Sequence, residues 1–271
     1  MNKAFILSLL FFVMLVYGCS HNPYATSNKI YKKETSALLK NIKSLPVVEA
    51  NDSLKAPQWF SGTTNFNLRK PNFVIIHHTA QNGCPETLTT FTTEASKVSA
   101  HYVICKGGTV HHMLNDYMRA WHAGVSRWGN LIDVNSASIG IELDNNGFEA
   151  FDSLQINSLL SLLAQLKKNY DIPTANFIGH GDIAPKRKND PNFRFPWKLL
   201  SERGFGLWYD EIRDTIPADF NPLIALRIIG YDVKDSTAAI RSFKRHFMQD
   251  TTRNLNYADK SVLYNLEKKY M

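Results

Sequence analysis

A chain of 271 residues holds one medium domain and a small one, and its 44% hydrophobic and 20% charged content is that of a globular protein. That balance excludes long disorder and collagen-like repeats. The net charge of +7 and a pI of about 9.2 favour anionic partners such as cell-wall polymer, acidic lipid or nucleic acid, without choosing among them, and a basic soluble surface explains the charge equally well.

The N-terminus narrows the choice. After Lys3, Ala4 to Val16 is apolar except for Ser8. The run is too short for a comfortable membrane span and reads as a signal peptide. Its end, Val16-Tyr17-Gly18-Cys19, resembles a bacterial lipobox, with Tyr17 larger than the residue usual there. Residues 1–18 are therefore expected to be cleaved and Cys19 to become a lipidated first residue, firmly anchored by its acyl chains. Ser20 follows in place of Asp, so inner-membrane retention is not signalled. The expected location is the outer membrane, facing the periplasm; ordinary secretion with Cys19 discarded is the alternative. In an oxidising compartment Cys84 and Cys105 can pair or remain free thiols, and the sequence leaves both open. Neither lies in a Cys-x-x-Cys pair, which argues against a zinc ribbon.

Residues 19–57 are polar and read as a tether, with a short helix over Thr35 to Ile42, and Trp59 and Phe60 as the expected start of the packed domain. Asn72 to His78 is a β-branched run after Pro71 and predicts a buried strand. Adjacent strand residues point to opposite faces, so one of His77 and His78 faces any site. Thr87 to Val98 has helical spacing at Leu88, Phe91 and Ala95. Ser99 to Cys105 and Thr109 to Met113, joined by Lys106-Gly107-Gly108, predict a hairpin. Arg119 to Gly124 is loop-like. Ala137 to Leu143 is a further strand, with Glu142 inside its apolar run; a buried carboxylate is costly unless paired. Ser153 to Tyr170 is the strongest helix, with an apolar stripe of Leu154, Ile156, Leu159, Leu160, Leu162, Leu163 and Leu166, and Gln, Asn and Lys outside. A short strand at Ala175 to Ile178 leads into Gly179 to Asp190, a loop by composition. Three amphipathic helices follow, over Pro222 to Ile229, Ser236 to Met248 and Lys260 to Tyr270, enough for a small core of their own.

Chemistry-bearing residues sit at the strand ends. A His from the 77–78 pair, His180 and Asp190 are nitrogen and oxygen donors from separate segments, and such a set with an open fourth position makes a catalytic zinc site. Lys188 lies two residues from Asp190 and shares its side in extended chain, where it can stabilise an oxyanion. Glu142 can take a proton from an attacking water. Singly, each has a plainer reading: a satisfied core histidine, a solvated loop lysine, a turn-capping aspartate or a buried ion-pair carboxylate.

Taken together, Val-Ile-Ile-His-His-Thr-Ala (74–80), Ser-Ala-His-Tyr-Val-Ile (99–104), Trp-His-Ala-Gly (121–124), Ser-Ile-Gly-Ile-Glu (138–142) and Gly-His-Gly-Asp-Ile-Ala-Pro-Lys-Arg-Lys-Asn-Asp-Pro (179–191) resemble the zinc-dependent N-acetylmuramoyl-L-alanine amidases, which share a fold with the peptidoglycan recognition proteins. The likeness runs over roughly residues 60 to 205. It implies His77, His180 and Asp190 as zinc ligands, Glu142 as acid/base and Lys188 beside the transition-state oxygen. It also implies that His101 and His122 line the site or touch the glycopeptide. His78 stands where Tyr or Asn is common and is read as non-ligating. The lipoprotein start with a helical tail is similar to the outer-membrane branch of these amidases, whose tail resembles a peptidoglycan-binding domain; a packing module without a ligand is the alternative.

The expectation is an α/β fold, a mixed central sheet flanked by helices, with a zinc amidase domain over 58–208 and a three-helix peptidoglycan-binding-like domain over 209–271. It would bind Zn2+ and peptidoglycan or muropeptides, bind no nucleic acid, and cleave the amide between N-acetylmuramic acid and L-alanine of the stem peptide; the sequence leaves the oligomeric state open, with a monomer the first expectation. A non-catalytic peptidoglycan binder on the same fold is the rival reading.

Overall fold

The structure, a computed structural model, describes residues 22–44, 57–211 and 214–270. The expected signal peptide and Cys19 lie outside the described residues. The described residues from 67 onward form one compact unit and the described residues before 67 belong to another. In the latter, helix α1 (Ala25–Lys43) is longer than the sequence suggests and buries none of its side chains. Trp59 and Phe60 are exposed rather than part of a core.

Five strands make the sheet: β1 (Phe73–His78), β2 (Tyr102–Ile104), β3 (Val110–His112), β4 (Ser138–Leu143) and β5 (Phe177–Gly179), in the order β3-β2-β4-β1-β5. Only β3 runs antiparallel, so the sheet is mixed, as expected. The β-branched runs of β1 and β4 are buried on both faces, which suits central parallel strands. Alternation sorts their side chains. Val74, Ile76, Ile139, Ile141, Leu143 and Phe177 pack on one face against helix α3 (Ser153–Tyr170). Ile75 and Ile178 point to the other, with Ala123, Val134 and Ile183.

Asp152 caps α3 by accepting from Leu154 N–H at 2.8 Å, and Leu159, Leu163 and Leu166 dock fully on the sheet. Each such leucine contributes roughly 1.5–3 kcal/mol by burial. Two members of the expected pattern exchange roles. Leu154 is 58% exposed, whereas Gln155 is fully buried, its amide donating to Ile104 O and Asp144 O. Its amide thereby ties the end of β2 to the residue just after β4, where Ile104 O also accepts from Asp144 N–H.

Helix α2 (Cys84–Thr92) begins earlier than Thr87, with Pro85 in its first turn, and stops at Thr93, whose backbone is extended. Cys84 is paired with Cys105, with Cα atoms 5.4 Å apart and a sequence separation of 21, which constrains the unfolded chain by about 3 kcal/mol. After α4 (His180–Ile183) and α5 (Trp197–Glu202) come α6 (Pro222–Ile229), α7 (Ser236–Phe247) and α8 (Tyr257–Tyr270). The last starts three residues before Lys260 because Asn256 Oδ1 and Asp259 Oδ2 accept from each other's backbone N–H. These three helices enclose a separate apolar cluster around Leu226, Phe243, Val262 and Leu266.

Candidate active site

The carboxyl ends of three neighbouring strands set out the site. In β1–β4 pairing His77 lies beside Glu142, and in β1–β5 pairing Ile76 lies beside Gly179, so His180 follows next to His77. The expected loop after Gly179 turns at once into the single helical turn α4, then returns through Lys188 to Asp190. Open α/β sheets bind ligands at such strand ends.

His77 Nδ1 lies 2.9 Å from His180 Nδ1 and 3.1 Å from Asp190 Oδ2, and His180 Nδ1 lies 3.0 Å from the same oxygen. All three residues are buried. The hydrogen-bond network fixes where the ring protons are. Ser138 Oγ donates to Val134 O at 2.6 Å, so it accepts from His122 Nε2 at 3.2 Å. His122 Nδ1 then accepts from His77 Nε2 at 3.0 Å, leaving His77 Nδ1 as a bare lone pair. Likewise His180 Nε2 donates to Ala123 O at 3.2 Å, which turns its Nδ1 lone pair inward. Burial, and then the neighbouring His180, hold the His77 pKa down at about 4, so the ring is neutral.

Two nitrogen lone pairs and a carboxylate thus converge with no proton among them, an arrangement that repels itself unless a cation sits between. Four ligands in a tetrahedron at zinc distances stand about 3.3 Å apart, close to the separations here, and two imidazole nitrogens with one carboxylate suit zinc, whereas calcium and magnesium take oxygen ligands. The donor set fits zinc.

Glu142 Oε1 is 3.9 Å from His77 Nδ1. Its Oε2 is buried with no hydrogen-bond partner among the described residues. Burial, and after it the Asp190 charge, raise its pKa to about 8, with Lys188 opposing. Lys188 is exposed at the rim, and its charge reaches His77 and Glu142.

His78 points to the opposite face, where its Nδ1 accepts from Asn192 N–H at 3.1 Å. His101 and His122, expected to line the site or touch the glycopeptide, each have partners within the protein. His101 is fully buried; its Nδ1 accepts from Gly140 N–H and its Nε2 donates to Met118 O, which leaves nothing for a ligand. His122 stands behind His77, so close to Gly140 that a Cβ there would overlap its ring. It orients His77, as outer partners of metal ligands do. The sequence does not single out Asp182, Ser242 or His246, which pack behind the same loop.

The N-acetylmuramoyl-L-alanine amidase family matches residues 67–193. N-acetylmuramoyl-L-alanine amidase AmiD of Escherichia coli K12 is 32% identical over 206 residues, covering 64% of this chain and 74% of AmiD. The chain belongs to the N-acetylmuramoyl-L-alanine amidase family. The AmpD amidase of Haemophilus influenzae, a 1,6-anhydro-N-acetylmuramyl-L-alanine amidase, is 40% identical over 103 residues, 38% of this chain and 56% of AmpD. Among solved structures, the Escherichia coli AmiD complex with anhydro-N-acetylmuramic acid-L-Ala-D-gamma-Glu-L-Lys superposes with a TM-score of 0.68 at 26% identity, over 83% of this chain and 98% of that one. AMPDH3 from Pseudomonas aeruginosa gives 0.69 at 30% identity, over 80% and 99%. The likeness to AmiD and AMPDH3 extends past the catalytic sheet, since the family match itself stops at residue 193.

Proposed function

We propose that this amidase is zinc-dependent and lipid-anchored, held through Cys19 on the periplasmic face of the outer membrane, with its helical tail adding a hold on the wall. It hydrolyses the amide between N-acetylmuramic acid and L-alanine of peptidoglycan stem peptides. The observation that carries the zinc reading is the convergence of the His77 and His180 lone pairs with the Asp190 carboxylate beside Glu142. A zinc ion held by those three residues would supply a Lewis acid and make hydroxide available near neutral pH. Glu142 takes a proton from the water that adds to the lactyl carbonyl carbon. It returns that proton to the alanine nitrogen as the C–N bond breaks. A buried carboxyl whose Oε2 has no partner among the described residues is placed to both accept and give a proton. The Lys188 charge at the rim lowers the energy of the negative carbonyl oxygen. His122 keeps the His77 ring in register throughout.

Anhydro-muropeptides are the first substrates to try, because relatives were solved with such ligands. Purified protein is expected to release free stem peptide from peptidoglycan or anhydro-muropeptide, to stop on chelation and to resume on adding zinc. Absence of release by the zinc-loaded protein would leave the rival reading, a binder without hydrolysis. For the anchor, Cys19→Ala is expected to move the protein from the membrane pellet to the soluble periplasmic fraction. An unchanged distribution would refute lipidation at that residue.

A further inference from the structure

Helix α7 closes its own apolar cluster with Ala239, Phe243 and Phe247, yet it turns a second, polar face onto the loop that carries His180 and Asp190. Ser242, Arg245 and His246 on that face are each at most 5% exposed. Ser242 Oγ donates to Gly181 O at 2.7 Å and lies 3.2 Å from Asp182 Oδ1. His246 Nδ1 is 2.7 Å from Asp182 Oδ2 and must be the donor, since a carboxylate only accepts. Tyr231 OH, from the segment leading into α7, donates to Asp182 Oδ1 at 2.9 Å. The Arg245 guanidinium lies so near Gly181 that a Cβ there would overlap it. The His246 ring is stacked on Trp197, with centroids 3.9 Å apart.

These bonds end on the two residues between the ligands' backbones. Gly181 directly follows His180, and its N–H donates to Asp190 O at 2.6 Å. Asp182 also accepts from Gly179 N–H at 2.9 Å, where β5 ends. The turn is therefore gripped by the ligand residues in front and by α7 behind. Burying a carboxylate, an imidazole and a guanidinium is costly, and an apolar face of like volume would fasten the helix at least as well. The polar face makes sense as a means of fixing the turn, not of attaching the tail.

We propose that α7 is the rear support of the metal centre: Ser242, Arg245 and His246 are positioning residues that act through Gly181 and Asp182 to set how His180 and Asp190 face each other. The inference rests on the zinc reading above. The test uses the full chain stripped of metal, titrated with Zn2+ against a chromophoric chelator and with Co2+ followed by its visible absorption. His246→Phe keeps a ring for Trp197 and removes the donor; His246→Asn restores a donor near the Nδ1 position. Ser242→Ala removes one oxygen. Leu266→Ala opens a cavity in the tail's apolar cluster, away from the polar face, and serves as the control for lost stability.

His246→Phe and Ser242→Ala are expected to weaken metal binding about 10- to 100-fold, the usual cost of losing an outer partner, and to shift the cobalt spectrum. His246→Asn should recover most of both. Leu266→Ala should lower the Tm and leave affinity and spectrum unchanged. Wild-type affinity and spectrum in folded Ser242→Ala and His246→Phe would overturn the proposal, whatever their Tm. If His246→Phe does not fold, Ser242→Ala alone decides by the same criterion. Wild-type protein that binds neither metal would sink the zinc reading and this inference with it, whereas normal binding by every variant sinks the inference alone.

Discussion

Glu142→Gln is expected to cut amide hydrolysis by about 10²- to 10⁴-fold, the usual contribution of a general acid/base, while making the metal-free protein relatively more stable at alkaline pH. The two effects share one cause. The folded chain raises the Glu142 pKa from 4.5 to about 8, through burial first and the Asp190 charge second. Below pH 4.5 the carboxyl is protonated both folded and unfolded, and its favourable contribution is fully present. Between 4.5 and 8 the unfolded chain gives up the proton first, so stability falls as pH rises. Above 8 the fold carries a buried carboxylate with one oxygen unpartnered. Glutamine does not ionise, so the gap between variant and wild type should widen in the variant's favour across that window, by several kcal/mol. Urea unfolding of chelator-treated protein at pH 5 and pH 9 measures it. The comparison between pH values cancels whatever the new amide costs by itself. Near-normal turnover by the variant would remove Glu142 from the mechanism, and a stability gap independent of pH would mean that the carboxyl is not held protonated by the fold.

Asp190→Ala should be the most damaging change to metal binding. It leaves two imidazole lone pairs with no negative charge, and zinc affinity should fall by more than the 10- to 100-fold typical of outer-partner losses. Wild-type protein gains about 4 kcal/mol of stability when free zinc exceeds its Kd a thousand-fold, read as a higher Tm by calorimetry. The variant should show almost none of that gain at the same zinc concentration. A zinc-induced Tm shift of wild-type size would refute Asp190 as a ligand.

The parts of this fold that were legible in the sequence are those where one local signal dominates. The leucine stripe over Ser153 to Tyr170 gives α3, and the apolar spacing over Pro222 to Ile229 gives α6. The β-branched runs give β1 and β4. Errors arise where tertiary contact overrides the local pattern. Gln155 is inside because its amide donates to the carbonyls of Ile104 and Asp144, and Leu154 is outside because Gln155 occupies the inner position. At the site, the residue types and their order named the donors, and the strand alternation that separates His77 from His78 follows from elementary geometry. The roles of His101 and His122 were not legible, since a histidine that satisfies a backbone pair and one that orients a ligand look alike in a sequence. Nor was the grip of Ser242 and His246 on Asp182, which joins residues 60 and 64 positions apart.

Sequence distance within the site has a consequence for how activity arises. His77 meets His180 across 103 residues and Asp190 across 113. His180 and Asp190 lie ten residues apart in one loop, but the third donor must come from β1, and such non-local pairings form late because loop closure must come first. A growing or partly folded chain therefore has no working centre until β5 has joined β1 and the following turn is in place. Hydrolytic competence arrives together with the completed fold, and an enzyme made to cut a structural polymer stays inert through its own synthesis.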